Sequence, residues 1–282
     1  TASAELHAIN KENGVLEWSV DIEGSSDLIE IDEDKIFVTS SLYEIEVQDY
    51  TETTFFTFDK NGQLLGSVNF EEKPWFMKKQ NQKIILGIGR PRCGILTIDD
   101  KYNISHSRTD GNSPVNMGIK TNKRFLLGHS DGTITEINDS GRKYIQCGND
   151  SITAISSKDI SWQAGDKNGN LFSSDGWSKK LGDRINCIVE TKHHIWVSVT
   201  SKNNVVYLLD KGSGSIKHQF SHDYKIQLMK LLDNNLAISD EEGKVMFFDT
   251  KTLEKRIGTK SVISEDLERR NLLKKRLRAL RE

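Results

Sequence analysis

The chain has 282 residues, with 39 Lys and Arg against 41 Asp and Glu, for a net charge of −2. That balance excludes a chain built as a whole to coat nucleic acid, and no run approaches the ~18 apolar residues of a membrane helix. Three widely spaced cysteines, Cys93, Cys147 and Cys187, exclude a disulfide framework and a CxxC zinc cluster; the expectation for the chain is no metal and no cofactor.

In chain order, the first element is a hairpin. Leu6-His7-Ala8-Ile9-Asn10 runs through Asn13-Gly14 into Val15-Leu16-Glu17-Trp18. The same pattern, an apolar strand, Asp or Asn, a tight turn and a second strand, returns at Phe55–Asp59, Leu96–Asp99, Ile134–Asn138, Leu171–Ser174, Val206–Asp210 and Met246–Asp249. The spacings are 49, 40, 39, 36, 36 and 39 residues. A β-patterned period near 40 is that of propeller blades. The excess of about ten residues in the first step marks an insertion in one blade.

Each unit also carries two earlier strands. Leu28–Ile31, Ile152–Ile155, Ile185–Val189 and Ile226–Met229 are first strands. Phe125–Leu127, Ile160–Trp162, Ile195–Val199 and Leu236–Ile238 are second strands, several running into Asp/Asn-Gly turns. Such turns need positive φ, which Gly and Asn supply cheaply. The unit is therefore four antiparallel strands, A to D, and radial stacking covers both faces of each sheet.

Full blades are expected near 26–70, 74–109, 113–148, 151–182, 184–220 and 224–258, with residues 5–20 giving only a C–D pair. The predicted fold is all-β: a propeller of four-stranded antiparallel blades over 1–260, seven in number, followed by a C-terminal α-helix over 261–282. Strands A and B of the first blade are expected upstream of Thr1; the alternative is a six-bladed ring with an added hairpin.

Ala8-x-Asn10-x-x-Asn13-Gly14-x-x-x-Trp18 resembles the repeat of quinoprotein-like propellers, Ala-x-Asp-x-x-Thr-Gly-x-x-x-Trp. Leu208-x-Asp210-x-x-Ser213-Gly214 is similar, with His218 at the Trp position, and Phe247-x-Asp249-x-x-Thr252 is a third copy lacking the Gly. WD-repeat proteins are the neighbouring family, but Trp-Asp dipeptides are absent. The chain is thus identified as a divergent member of this superfamily. The resemblance implies a propeller and raises a quinone-dependent dehydrogenase as one hypothesis. Such enzymes are about twice this length and use a calcium-binding carboxylate site, a stacking Trp and often adjacent cysteines. No Cys-Cys pair exists here, so no catalytic residue is expected.

Candidate sites follow from the loops. Gly87–Gly94 holds several glycines, Arg90 and Arg92, but a strand follows instead of the helix a phosphate cradle needs. It reads as a B–C turn with arginines at its tip. His193-His194 reads as a solvated A–B turn, because neighbouring strand residues face opposite ways. The insertion 41–53 holds Tyr43, Glu44, Glu46, Asp49, Tyr50 and Glu52. It reads either as a lengthened hairpin or as a functional loop. B–C and D–A connections leave one side of a blade. Tyr43, Glu44, Glu46, Asp49, Trp75, Arg90 and Arg92 are therefore expected to converge as a partner-binding surface. The bland alternative is that Glu44 or Glu46 only pairs with Arg90 or Arg92.

The last segment changes character. Residues 263–282 carry seven basic and four acidic side chains. Glu265 and Asp266 in the first turn and basic residues later complement a helix dipole. The expected function is a non-catalytic protein-interaction scaffold in the cytoplasm, with no membrane span. Nucleic-acid association through the basic helix is the alternative, and a quinone-dependent oxidoreductase the third reading.

Overall fold

A computed structural model describes residues 3–10, 12–109, 111–121, 124–138, 140–158, 160–202, 204–232, 235–252 and 255. The expected helix 261–282 lies outside the described residues. The chain divides into two units, Thr1–Lys167 and Asn168–Glu282.

In the first unit, the first sheet is the hairpin Ser3–Ile9 with Leu16–Glu23. The second sheet orders Ser25–Asp32, Lys35–Glu44, Asp49–Asp59 and Leu64–Phe70 as consecutive antiparallel neighbours. The third repeats this with Pro74–Gln80, Lys83–Ile88, Gly94–Ile98 and Ile104–Ser107. The fourth uses Val115–Lys120, Arg124–His129, Thr133–Asn138 and Gly141–Gln146. In the fifth repeat, Ile152–Lys158 pairs with Ser161–Asp166 in the first unit. Asn170–Ser173 pairs with Ser178–Lys180 in the second.

The second unit continues with a sheet of Arg184–Glu190, His194–Thr200, Asn204–Asp210 and Ile216–His222. It ends with Ile226–Leu232, Asn235–Asp240 and Val245–Asp249. This last repeat has three strands among the described residues, not the full set expected over 224–258. After Asp249 the chain enters a helical turn at 250–252. Asp249 Oδ1 accepts the Thr252 N–H at 2.7 Å, in the manner of a helix cap.

Burial explains the strand types. The second strand of the third sheet, Ile84 to Ile88, is buried throughout, because both its faces are covered. The outer strand Ile216–His222 is largely solvent-facing, with only its alternate side chains half-buried. In the first unit, one core packs Phe37, Phe55 and Phe70 against Met77, Leu86 and Leu96. Phe76 fits between Gly87 and Gly118, where a Cβ at either glycine would overlap its ring. In the second unit, Trp196, Val206 and Leu208 pack on Ile226, Met229 and Ile238.

The repeated Asp has a local job. Asp59 Oδ1 accepts the N–H groups of Asn61 and Gln63, both at 2.8 Å. Asp99 does the same for Lys101 at 2.9 Å and Asn103 at 2.8 Å. Turn donors that would otherwise lack a partner are thereby satisfied. The Trp of the motif has a complementary role. In the first unit, Trp18 lies over Gly62, where a Cβ would sit 2.9 Å from its ring, and its Nε1 donates to the Lys60 carbonyl at 2.9 Å. In the second, Trp177 lies over Gly214, where a Cβ would sit 2.6 Å away, and donates to the Lys211 carbonyl at 3.2 Å. Each Trp thus caps the C–D turn of the following sheet. Trp177, directly after Asp175-Gly176, serves the turn whose own motif ends in His218.

Candidate binding surface

The insertion is absorbed by strand lengthening. Lys35–Glu44 and Asp49–Asp59 have 10 and 11 residues, against 6 and 5 for the matching pair of the third sheet. Pairing continues through Ser41↔Thr53, Leu42↔Glu52, Tyr43↔Tyr50 and Glu44↔Asp49. The register shift between Leu42 and Tyr43 leaves Thr51 as an extra residue, a bulge that bends the hairpin. Of the two readings of 41–53, the lengthened hairpin describes its backbone. Its end nevertheless reaches the connections expected beside it.

A cleft of about 480 Å³ is lined by Asp49, Tyr50 and Thr51 of this hairpin, by the D–A connection Glu71-Glu72-Lys73 with Trp75, and by Gly89-Arg90-Pro91. Three chain segments from two neighbouring sheets therefore meet at one end. Two ion pairs hold the D–A connection in place. Glu72 is buried, its side chain only 2% exposed, and its two oxygens accept from Nε and a terminal nitrogen of Arg92. The Glu72 hydrogen bond raises the Arg92 pKa above its ordinary value, against the effect of burial. Lys73 Nζ donates to Asp27 Oδ1 at 2.8 Å and sits 3.6 Å from the Tyr50 ring centroid. Burial works to lower the Lys73 pKa, but the bonds to Asp27 and Tyr50 outweigh it and raise the value.

Above these pairs, Trp75 is half exposed. Its Nε1 lies where Gly89 leaves room: a Cβ at that position would be 2.8 Å away. Arg90 is exposed and has no hydrogen bond or ion pair among the described residues.

The structure thus brings together Asp49, Trp75 and Arg90 from the expected set. Tyr43, Glu44 and Glu46 stand further out on the same hairpin, exposed and outside the cleft lining. Arg92 is placed differently from the expectation: it holds Glu72 and does not line the cleft. Among the described residues neither Glu44 nor Glu46 pairs with Arg90 or Arg92, as the bland alternative would have it; Arg92 takes Glu72. The expected set left out Glu72, Lys73 and Tyr50, which shape the site, although Tyr50 stands in the insertion and the D–A connection Glu71-Glu72-Lys73-Pro74-Trp75 runs between the two loops. A charged Glu-Glu-Lys run before Pro74-Trp75 was a visible signal, but its partners lie 20 and 46 residues away in sequence.

His194 opens a strand after the turn at 191–194. Among the described residues, no group of three or more His, Cys, Asp or Glu side chains is placed to hold a metal ion. Among the same residues, no helix is long and apolar enough to cross a membrane.

No protein-family model matches the chain, and no curated protein sequence matches it. Solved structures do. The computationally designed protein Ika8 covers 87% of this chain and 90% of its own, at 11% identity and a TM-score of 0.58. BamB from Moraxella catarrhalis, a β-propeller, covers 86% of this chain and 76% of its own, at 14% identity and a TM-score of 0.62. Together with the antiparallel four-strand repeats, these likenesses establish that the chain has an all-β propeller fold.

Proposed function

We propose that the protein is a non-catalytic interaction scaffold whose partner binds at the cleft of the second and third sheets. The observation that carries this reading is the convergence of three connections around a half-exposed Trp75 and an unpaired Arg90. Trp and Arg are the side chains most often dominant in protein interfaces, because they bury large areas and make directional contacts. The ion pairs beneath them hold the backbone in one arrangement before binding, which lowers the ordering cost of association.

The test compares affinity capture by the wild type, Trp75→Ala, Arg90→Glu and Lys217→Glu, an exposed residue that does not line the cleft. A partner retained by the wild type and Lys217→Glu, but lost by both cleft variants while they stay folded, supports the reading. Equal capture of that partner by the folded cleft variants overturns it. Arg92 is excluded from the test set because its replacement disturbs Glu72.

A further inference from the structure

The end of the long hairpin carries side chains that a solvated turn does not need. Residues 45–48 read Ile-Glu-Val-Gln. Turn tips favour Gly, Asn, Asp, Ser and Pro, for conformational reasons. Here Ile45 is 83% exposed and Val47 58%, with Tyr43 at 53% just below them. The unusual backbone conformation falls on Gln48, at φ 54°, so the turn does not require either aliphatic residue. Tyr43 and Tyr50 meet edge to face, with ring centroids 5.2 Å apart at 70°, and stiffen the stem beneath. The result is a supported apolar apex standing in water, the kind of patch that marks an interaction site.

We infer that this apex inserts into an apolar groove with a basic rim on a partner protein. The inference rests on the proposed cleft being a binding surface, because the same hairpin supplies residues 49–51 to its lining. Charge selects the occupant. Glu44, Glu46, Asp49 and Glu71 are exposed, and none is in an ion pair among the described residues. The neighbouring cations are engaged, Lys73 with Asp27 and Arg92 with Glu72, leaving Arg90. Four carboxylates against one guanidinium repel nucleic acid and anionic lipid, and attract a surface bearing Lys and Arg. Ile45 and Val47 fill the groove, and Glu44 and Glu46 meet its rim.

The probes are two fluorescent synthetic peptides with the same leucine spacing, one carrying Lys and the other Glu at the intervening positions. Each is titrated by anisotropy against the wild type, Ile45→Ser/Val47→Ser, Glu44→Gln/Glu46→Gln and Trp75→Ala. Circular dichroism checks folding; the exposed apex leaves it unchanged. The Lys peptide binds and the Glu peptide does not. The Ser pair weakens binding by about tenfold or more, and the Gln pair weakens it with a shallower salt dependence. Equal binding of both peptides, or indifference to the Ser pair, overturns the inference. So does binding of the protein to phosphatidylglycerol-containing vesicles that the Ser pair abolishes, which would make the apex a membrane anchor. Loss of binding in Trp75→Ala with none in the Ser pair sinks the apex inference alone and leaves the cleft reading standing. Indifference to all three variants counts against both.

Discussion

Replacing Arg92 by Met tests whether it holds the fold or contacts a partner. Met keeps much of the aliphatic stem and removes the guanidinium. Glu72, with its side chain 2% exposed, would then keep a carboxylate in a site with little water to solvate it. Breaking a fully buried pair costs about 3–5 kcal/mol, whereas a surface pair contributes about 0–1 kcal/mol. Arg92 is 44% exposed, so solvent screens one side of the interaction and the expected cost lies near 2 kcal/mol. Urea unfolding of the wild type, Arg92→Met, Glu72→Gln and the double variant gives the coupling directly. We expect a coupling of about 1–3 kcal/mol, with the double variant more stable than the sum of the single effects implies. Arg90→Met, at an exposed side chain without a partner, should shift stability by less than about 0.5 kcal/mol. Additive single variants, or equal costs at positions 90 and 92, would refute the assignment and return Arg92 to the binding residues.

Gly118→Ala and Gly87→Ala each drive a methyl group into the buried Phe76 ring, and calorimetry should register a loss of about 1–3 kcal/mol or more; a change as small as that of Gly212→Ala, where a Cβ meets nothing closer than 3.7 Å, would contradict the packing. Hydrogen bonds hold Asp59, Asp99, Asp210, Asp240 and Asp249 below the ordinary carboxylate pKa of 3.8, led in the turns of Asp59, Asp99, Asp210 and Asp249 by the Gln63 N–H, the Asn103 and Ser213 side chains and the Thr252 N–H, and at Asp240 by the side chain of the strand residue His222. Because their folded pKa values are depressed, their stabilisation is present above the unfolded value and lost as pH falls through the folded ones. Unfolding followed from pH 5 to pH 2 should therefore show falling stability below about pH 4, less steeply in Asp59→Asn/Asp99→Asn; identical slopes would remove the turns from the account. Burial pushes the Cys147 thiol up to about 11 and raises Cys93 and Cys187, so a thiol-reactive disulfide reagent at pH 8 should label the folded protein slowly and the denatured protein fast; prompt labelling of the folded protein at one equivalent or more would count against it.

The architecture was legible because its devices are local. An Asp that accepts two turn N–H groups must stand at a fixed distance from them, so Asp59 and Asp99 print the period directly into the sequence. A long hairpin likewise appears as surplus length in the spacing of the repeats, as 41–53 does. The site was less legible because it depends on which side of a connection faces inward. Glu71 and Glu72 are chemically alike and adjacent, yet one is exposed and the other buried against Arg92. That choice is made by the path of the backbone between two sheets, and no spacing rule records it. The partnership of Trp177 with Gly214 was hidden for a related reason. Its Trp follows its own turn directly, instead of four residues later as at Gly14 and Trp18.

The Trp-over-Gly contact also fixes where this chain can be cut and respliced. Trp18 belongs to one repeat, but the carbonyl of Lys60 and the bare face of Gly62 belong to the next. A transplant that follows strand boundaries would separate the donor from its seat, leaving an indole without an acceptor and a glycine without cover. Chimeras joined within a D strand, downstream of one seat and upstream of the next donor, would instead keep each donor with its own seat. The inherited unit at these two places is therefore the junction, and a library of shuffled repeats should be selected there on the pairing of Trp and Gly across the join, not on the identity of the sheets themselves.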